Sequence, residues 1–370
     1  MKRWLRATTA AIALAGVGAC EDARARRAAA PDASGSGTGQ APAAVHVPHR
    51  VDLEDRAMGT HVALASFTTE AIDEAALRSR LAAALAEIRR VEALMTTWRE
   101  DSEVSRVNAA AGKAAVAVGP ETLLVVEKSL WASRRSGGVF DVTFEAMRGI
   151  WRFDQDHADE LPSPDAIARA RRLIDFRRVI VDHDARTVKL ATAGMRLSLG
   201  GIAKGYGVDA AARVLSGAGV GSFFIQAGGD LYVRGRKPDG SPWRAGARAP
   251  RSADPGDYFA LVEVEDHAFS TAGDYERSFV KDGQRWHHII DPRTGYPATA
   301  SRSVTIWAED ALTADAIDDA VFILGPEKGL ALVESVDGAG AIIVDAANRV
   351  HVSRRLEGKV HVVHPPTDGI

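Results

Sequence analysis

Helical and strand-like patterns interleave along this chain without strict alternation, which predicts an α+β (mixed α/β) fold in one compact domain. Apolar side chains at Leu77, Leu81, Leu85, Ile88, Val91 and Leu94 recur every three or four residues, the period of an amphipathic helix of about six turns. Short apolar runs read as strands at Val62–Ser66, Val179–Val181, Val188–Leu190, Met195–Leu199, Phe223–Gln226, Phe259–Val264, Val304–Ala308 and Ala341–Val344. Beyond Val51 there is no internal repeat and no linker-like stretch. Residues 51–370 are therefore expected to form one domain of mixed sheets, with parallel and antiparallel pairing, flanked by helices.

From the N-terminus, Lys2, Arg3 and Arg6 precede an apolar stretch, Ala10–Val17, and then Val17-Gly18-Ala19-Cys20, which reads as an export signal over residues 1–19. The apolar run is shorter than the roughly 20 residues a spanning helix needs. A cysteine at this junction resembles the lipobox of bacterial lipoproteins. That resemblance implies a lipid on Cys20, a membrane anchor and a place on the periplasmic side of a bacterial membrane, inner or outer. A cleaved signal with an incidental cysteine is the other reading. Cys20 is the only cysteine in 370 residues, so no intrachain disulfide forms. Residues 20–50 are rich in Ala, Gly, Ser and Pro and read as a flexible tether. With 46 basic and 49 acidic residues, the near balance of charge gives no support for a nucleic-acid partner. Farther on, a helix is expected over Glu121–Arg135, ending at Gly137-Gly138. Another starts at Ser163-Pro164-Asp165, with Ser163 as N-cap and Pro164 in the first turn.

Three segments carry chemistry. Leu199-Gly200-Gly201-Ile202-Ala203-Lys204-Gly205-Tyr206 reads as a strand, a sharp glycine turn and a helix start. Exposed amides and a lysine there suit a phosphate, and a plain structural turn accounts for the same residues. The segment is neither a Walker A loop nor a GxGxxG fingerprint. In Thr313–Ala320, Asp315 and Asp319 lie one helical turn apart on one face. Carboxylates so placed repel unless a cation joins them, and Mg²⁺ takes such oxygen ligands; an acidic first turn favoured by the helix dipole is the bland alternative. On a strand, His287 and His288 point to opposite faces and do not share a metal, and no cysteine is at hand to complete a zinc site. The Asp291-Pro292-Arg293-Thr294-Gly295 stretch that follows has turn chemistry.

Further short pieces extend the pattern. They are Met58-Gly59-Thr60, Thr96-Thr97-Trp98, Asp101-Ser102-Glu103-Val104-Ser105-Arg106-Val107-Asn108, Ser136-Gly137-Gly138-Val139-Phe140-Asp141, Ala227-Gly228-Gly229-Asp230 and Ser270-Thr271-Ala272-Gly273-Asp274-Tyr275-Glu276. In their order, over about residues 55 to 335, they resemble the ApbE family, the FAD:protein FMN transferases.

The resemblance implies that FAD is the substrate, with its pyrophosphate near Lys204 and His288. It adds Met58, Asp141, Asp209, Gly228, Gly229, Asp230 and Thr271 as cofactor-binding positions and Trp98 as the aromatic surface stacked on the flavin. It implies Mg²⁺ held by the Ala203 carbonyl, Asp315 and Asp319, and His288 or Asp319 as the catalytic base. The chain departs from the family at Asp319, where threonine is usual, at Ala272, which lacks a hydroxyl, and at Gln226, where asparagine is common. The implied reaction is Mg²⁺-dependent transfer of FMN from FAD to a Ser or Thr hydroxyl, forming a phosphoester and releasing AMP. The implied acceptor is a periplasm-facing flavoprotein bearing D-x-x-[ST]-G-A-[TS]. An FAD pyrophosphatase giving FMN and AMP, and an FAD-binding lipoprotein with little turnover, use the same site residues.

Overall fold

A computed structural model describes residues 46–153 and 160–369. The expected export signal, Cys20 and the tether up to residue 45 lie outside the described residues. Eight strands form one sheet: β1 (Arg50–Ala57), β2 (Thr60–Phe67), β3 (Phe223–Ala227), β4 (Asp230–Arg234), β5 (His267–Gly273), β6 (Ser301–Ala308), β7 (Gly340–Asp345) and β8 (Val350–Val352). Their order across the sheet is their order in the chain, so the sheet is a meander into whose connections the other elements are inserted.

The sequence predicts both senses of pairing, yet every ladder among the described residues is antiparallel. The reason is where the insertions return. The long excursion after β2 leaves one end of the sheet and comes back at that same end as β3, pairing Val62 with Ala227 and Ser66 with Phe223. Strands that leave and re-enter at one end need no crossover and must run antiparallel.

Strand alternation then sorts the core. Phe223 and Ile225 join Val62 and Leu64 on the face covered by helices, whereas Phe224 joins Leu231, Val233 and Phe269 on the other. That second face is covered by a three-stranded sheet, Trp243–Arg248, Tyr258–Val264 and Val360–Val362, with Trp243 and Phe259 fully buried. The helices are α1 (Glu74–Met95), α2 (Glu103–Ala109), α3 (Pro120–Arg135), α4 (Pro164–Arg171), α5 (Ala203–Gly217) and α6 (Ala311–Glu334). In α1 every apolar position picked out by the period except Leu94 is buried, and Asp73 caps the helix by accepting from the Ala76 amide at 2.8 Å. Ser163 caps α4 as the Ser-Pro-Asp sequence predicts. Among the described residues no helix is long and apolar enough to cross a membrane.

Met195–Leu199, expected as a strand, forms no strand and pairs with no neighbouring strand. A side chain replaces the ladder: Asn108 Nδ2 donates to the Leu197 carbonyl at 2.9 Å while Asn108 Oδ1 accepts the Leu197 amide at 2.8 Å. The Ser198 amide reaches the Val142 carbonyl at 3.0 Å. The chain entering Gly200 is thus held by helix α2 and not by a sheet. Asn108→Ala is expected to cost about 1–3 kcal/mol, because it strands two buried backbone groups. Urea denaturation checks this, and an unchanged midpoint contradicts the clip.

Candidate active site

β1, β3 and β5 finish on one edge of the sheet, and the site is built there. Met58 and Gly59 close the β1–β2 hairpin with φ of 52° and 72°, the geometry of a tight two-residue turn. Gly228 and Gly229 close the β3–β4 hairpin beside it; a Cβ on Gly228 would lie 2.7 Å from Thr60 Oγ1, and one on Gly229 would strike the Thr271 carbonyl. Glycine at both positions lets the two hairpin tips and the end of β5 pack at one edge, and Asp230 follows directly into the buried interior.

Helices α5 and α6 run antiparallel over this edge and cap each other. The α5 N-cap, Ile202, offers no capping side chain; Asp315 of α6 supplies it, its Oδ2 accepting the Gly205 amide at 2.8 Å. In return Asp209 of α5 accepts the Ala311 and Leu312 amides, both at 2.9 Å, at the start of α6. The approach is close enough that a Cβ on Gly205 would run into the Ala311 carbonyl. Asp209 is half-buried between the helices, and desolvation there pushes its carboxyl up to about 7.

This mutual capping brings Lys204 to the centre of an acidic cluster. Lys204 Nζ lies 2.8 Å from Asp230 Oδ2 and 3.1 Å from Asp315 Oδ1. Ser270 Oγ, on β5, bridges Asp230 Oδ1 at 2.7 Å and Asp318 Oδ2 at 2.6 Å. Asp319 Oδ2 faces Gly201, 3.4 Å from where a Cβ would stand on the turn. Four carboxylates therefore face one ammonium. Burial alone would lower Lys204, but the charges of Asp230, Asp315 and Asp318 outweigh it and hold the ammonium well above its ordinary value. Burial, reinforced by Asp315, pushes Asp230 up to about 7. Burial raises Asp319 to about 6, and burial with the Asp319 and Asp315 charges raises Asp318 well above the carboxylate range.

The glycine turn is more self-contained than an open phosphate cradle. The Gly200 amide reaches Ser198 Oγ at 3.1 Å, and the Ile202 and Ala203 amides turn back to the Leu199 carbonyl at 3.0 and 2.7 Å. Lys204 is the cationic group this turn delivers, its side chain 27% exposed. Among the described residues no three His, Cys, Asp or Glu side chains are spaced as a metal site. The set suggested by sequence contains only two side chains, Asp315 and Asp319, plus the Ala203 carbonyl. It is all oxygen and sits in a surplus of negative charge, which fits a hard divalent cation.

The remaining candidates divide. His287 is buried against Phe322; its Nε2 donates to the Ala298 carbonyl at 2.7 Å and its Nδ1 accepts the Ile289 amide at 3.3 Å, so the ring is fixed as one neutral tautomer. His288 is partly buried with Nδ1 lacking a partner, and burial, then the positive charges of Arg277 and Lys204 among its neighbours, lower it to about 3. Asp141 spends its carboxylate on the Thr143 amide and hydroxyl, at 2.8 and 2.6 Å, and on the Phe176 amide at 2.9 Å, fixing the loop beneath Gly201. Thr271 lies on the opposite face of β5 from Ser270, paired with Thr305 Oγ1 at 3.0 Å, so it is not brought to the Lys204 cluster. Trp98 stands on the outer loop between α1 and α2. Ser270 and Asp318 are the members that sequence reasoning missed. Asp318 follows Asp315 by three residues and so shares its helix face, a signal that was available.

A mixed α/β fold whose antiparallel meander carries a buried lysine–carboxylate centre, clasped by two mutually capped helices at a glycine turn, defines the class of this protein. The family model described as the ApbE family matches residues 58–343. The chain belongs to the ApbE family. It is 36% identical over 287 residues to an FAD:protein FMN transferase of Treponema pallidum (strain Nichols), covering 74% of this chain and 78% of that one. It is 30% identical over 297 residues to an FAD:protein FMN transferase of Klebsiella pneumoniae (strain 342), covering 79% and 83%. Among solved structures, the ApbE protein of Thermotoga maritima superposes with a TM-score of 0.76 at 31% identity, over 84% of this chain and 99% of that one. The flavin transferase ApbE of Vibrio cholerae superposes with a TM-score of 0.74 at 27% identity, over 85% and 100%.

Proposed function

We propose that this chain is an FAD:protein FMN transferase, the reading carried by Lys204 held between Asp230 and Asp315 at the start of α5. Lys204 receives the FAD pyrophosphate, and an ammonium already fixed among carboxylates needs little reorganisation to do so. Asp315, Asp319 and the Ala203 carbonyl would hold a divalent cation, Mg²⁺ in this reading, which when bound would neutralise charge at the phosphates. An acceptor Ser or Thr hydroxyl attacks the phosphorus on the FMN side; the new P–O bond forms as the bond to AMP breaks. The hydroxyl proton passes to one of two bases, His288 or Asp319, and AMP departs with the electron pair. The rest of the catalysis is positioning. The relatives named FAD:protein FMN transferases support a protein acceptor, and the family resemblance supplies the expectation that it is a flavoprotein bearing D-x-x-[ST]-G-A-[TS]. Chromatographic measurement of AMP from FAD tests the reading. AMP is expected only with divalent cation and acceptor together; release without acceptor points to the pyrophosphatase, and none under any condition to a binding protein.

The domain order proposed is an export signal at 1–19, a lipid on Cys20, a tether to residue 50 and the catalytic domain at 51–370, on the periplasmic side of the membrane. The small residues before Cys20 support it. Radiolabelled palmitate should mark the full chain and not Cys20→Ala; equal labelling of both removes the anchor.

A further inference from the structure

An indole standing in solvent has little to fix its χ angles, and Trp98 is 81% exposed. One partner lies against it: the Arg148 guanidinium, 4.2 Å from the ring centroid. Among the described residues no other ring or cation is stacked on this indole. Arg148 is itself held from two sides, its Nη1 donating to the Thr97 carbonyl at 3.1 Å and to Glu145 Oε1 at 3.0 Å. Glu145 belongs to a short 3₁₀ turn, Phe144–Met147, and its side chain is only 11% exposed, so the anchor is firm. The loop beneath is tied as well. The Trp98 amide donates to Thr96 Oγ1 at 3.1 Å, and Ser102 Oγ donates to the Thr96 carbonyl at 2.6 Å. Backbone and one ring face are fixed while the other face stays open to solvent.

We propose that Arg148 is a positioning residue that holds the Trp98 indole ready, so that the isoalloxazine of FAD stacks on the open face and the indole lies between guanidinium and flavin. The inference rests on the FAD reading above. Its physical basis is preorganisation: a ring already oriented loses less freedom when the ligand arrives. Because Arg148 acts through Trp98, the two should be coupled.

A double-mutant cycle on FAD affinity, measured by quenching of flavin fluorescence with the full chain, tests it. Trp98→Ala should weaken FAD binding about tenfold. Arg148→Ala should weaken it about threefold to tenfold, the scale of a cation–π contact, measured on protein that remains folded. The double variant should bind no more weakly than Trp98→Ala alone, and Arg148→Lys should recover part of the loss. Unchanged affinity in Arg148→Ala, or additive losses in the double variant, overturns the proposal, since Arg148 would then act on nothing or on FAD directly. Normal affinity in Trp98→Ala overturns it by removing the stacking surface, and identifies the underlying reading of Trp98 as the part that failed.

Discussion

Lys204→Met is expected to abolish FMN transfer and to destabilise the fold by about 3 kcal/mol, the lower end of the range for removing one partner of a buried ion pair. The lower end applies because the ammonium is 27% exposed while Asp230 and Asp315 are almost fully buried. Without the lysine, buried Asp230 keeps its place only by taking up a proton. The sign of the pH dependence follows. Asp230 already has a folded-state value raised to about 7. A carboxyl raised on folding contributes stability below its unfolded value, and that contribution is lost as pH rises through the folded value. The variant should therefore sit closer to the native protein at pH 5 than at pH 8. Urea denaturation at both values checks it, and equal losses at the two would mean that Lys204 does not compensate the cluster.

Asp315→Asn should separate chemistry from folding. Asparagine keeps one oxygen to accept the Gly205 amide, so the reciprocal caps between α5 and α6 survive; its Nδ2 replaces the oxygen that accepted from Lys204, which keeps Asp230. What is lost is one negative charge at the proposed cation site. Transfer should fall about a hundredfold or more, the scale for removing a group that fixes transition-state charge, with a melting temperature near that of the native protein. Activity within a fewfold of native would reject Asp315 as a ligand.

The contrast between these variants reflects what the sequence makes legible. Local signals carry over into structure: the period of α1 and the Ser163-Pro164 start of α4 appear in place. Properties that depend on where the chain returns do not. Pairing sense is set by the ends at which excursions re-enter the sheet, and in Met195–Leu199 the Leu197 backbone bonds to Asn108, 89 residues away, instead of to a strand. Ser270 was hidden for a related reason. Its partners lie 40 and 48 residues distant, and strand alternation alone decides that Ser270 and not Thr271 faces the cluster. Asp209 and Asp141 are recognisable as motif residues, yet their carboxylates serve helix caps and loop amides. Such a division of labour can be read only from contacts.

The most direct measurement is intact-mass analysis of a purified FMN-binding acceptor domain incubated with this protein, FAD and Mg²⁺, with an EDTA control. The account predicts a mass gain of one esterified FMN on the acceptor, absent with EDTA and absent when the acceptor hydroxyl is replaced. An unmodified acceptor, in a reaction where a known ApbE-family transferase modifies the same domain, would contradict it.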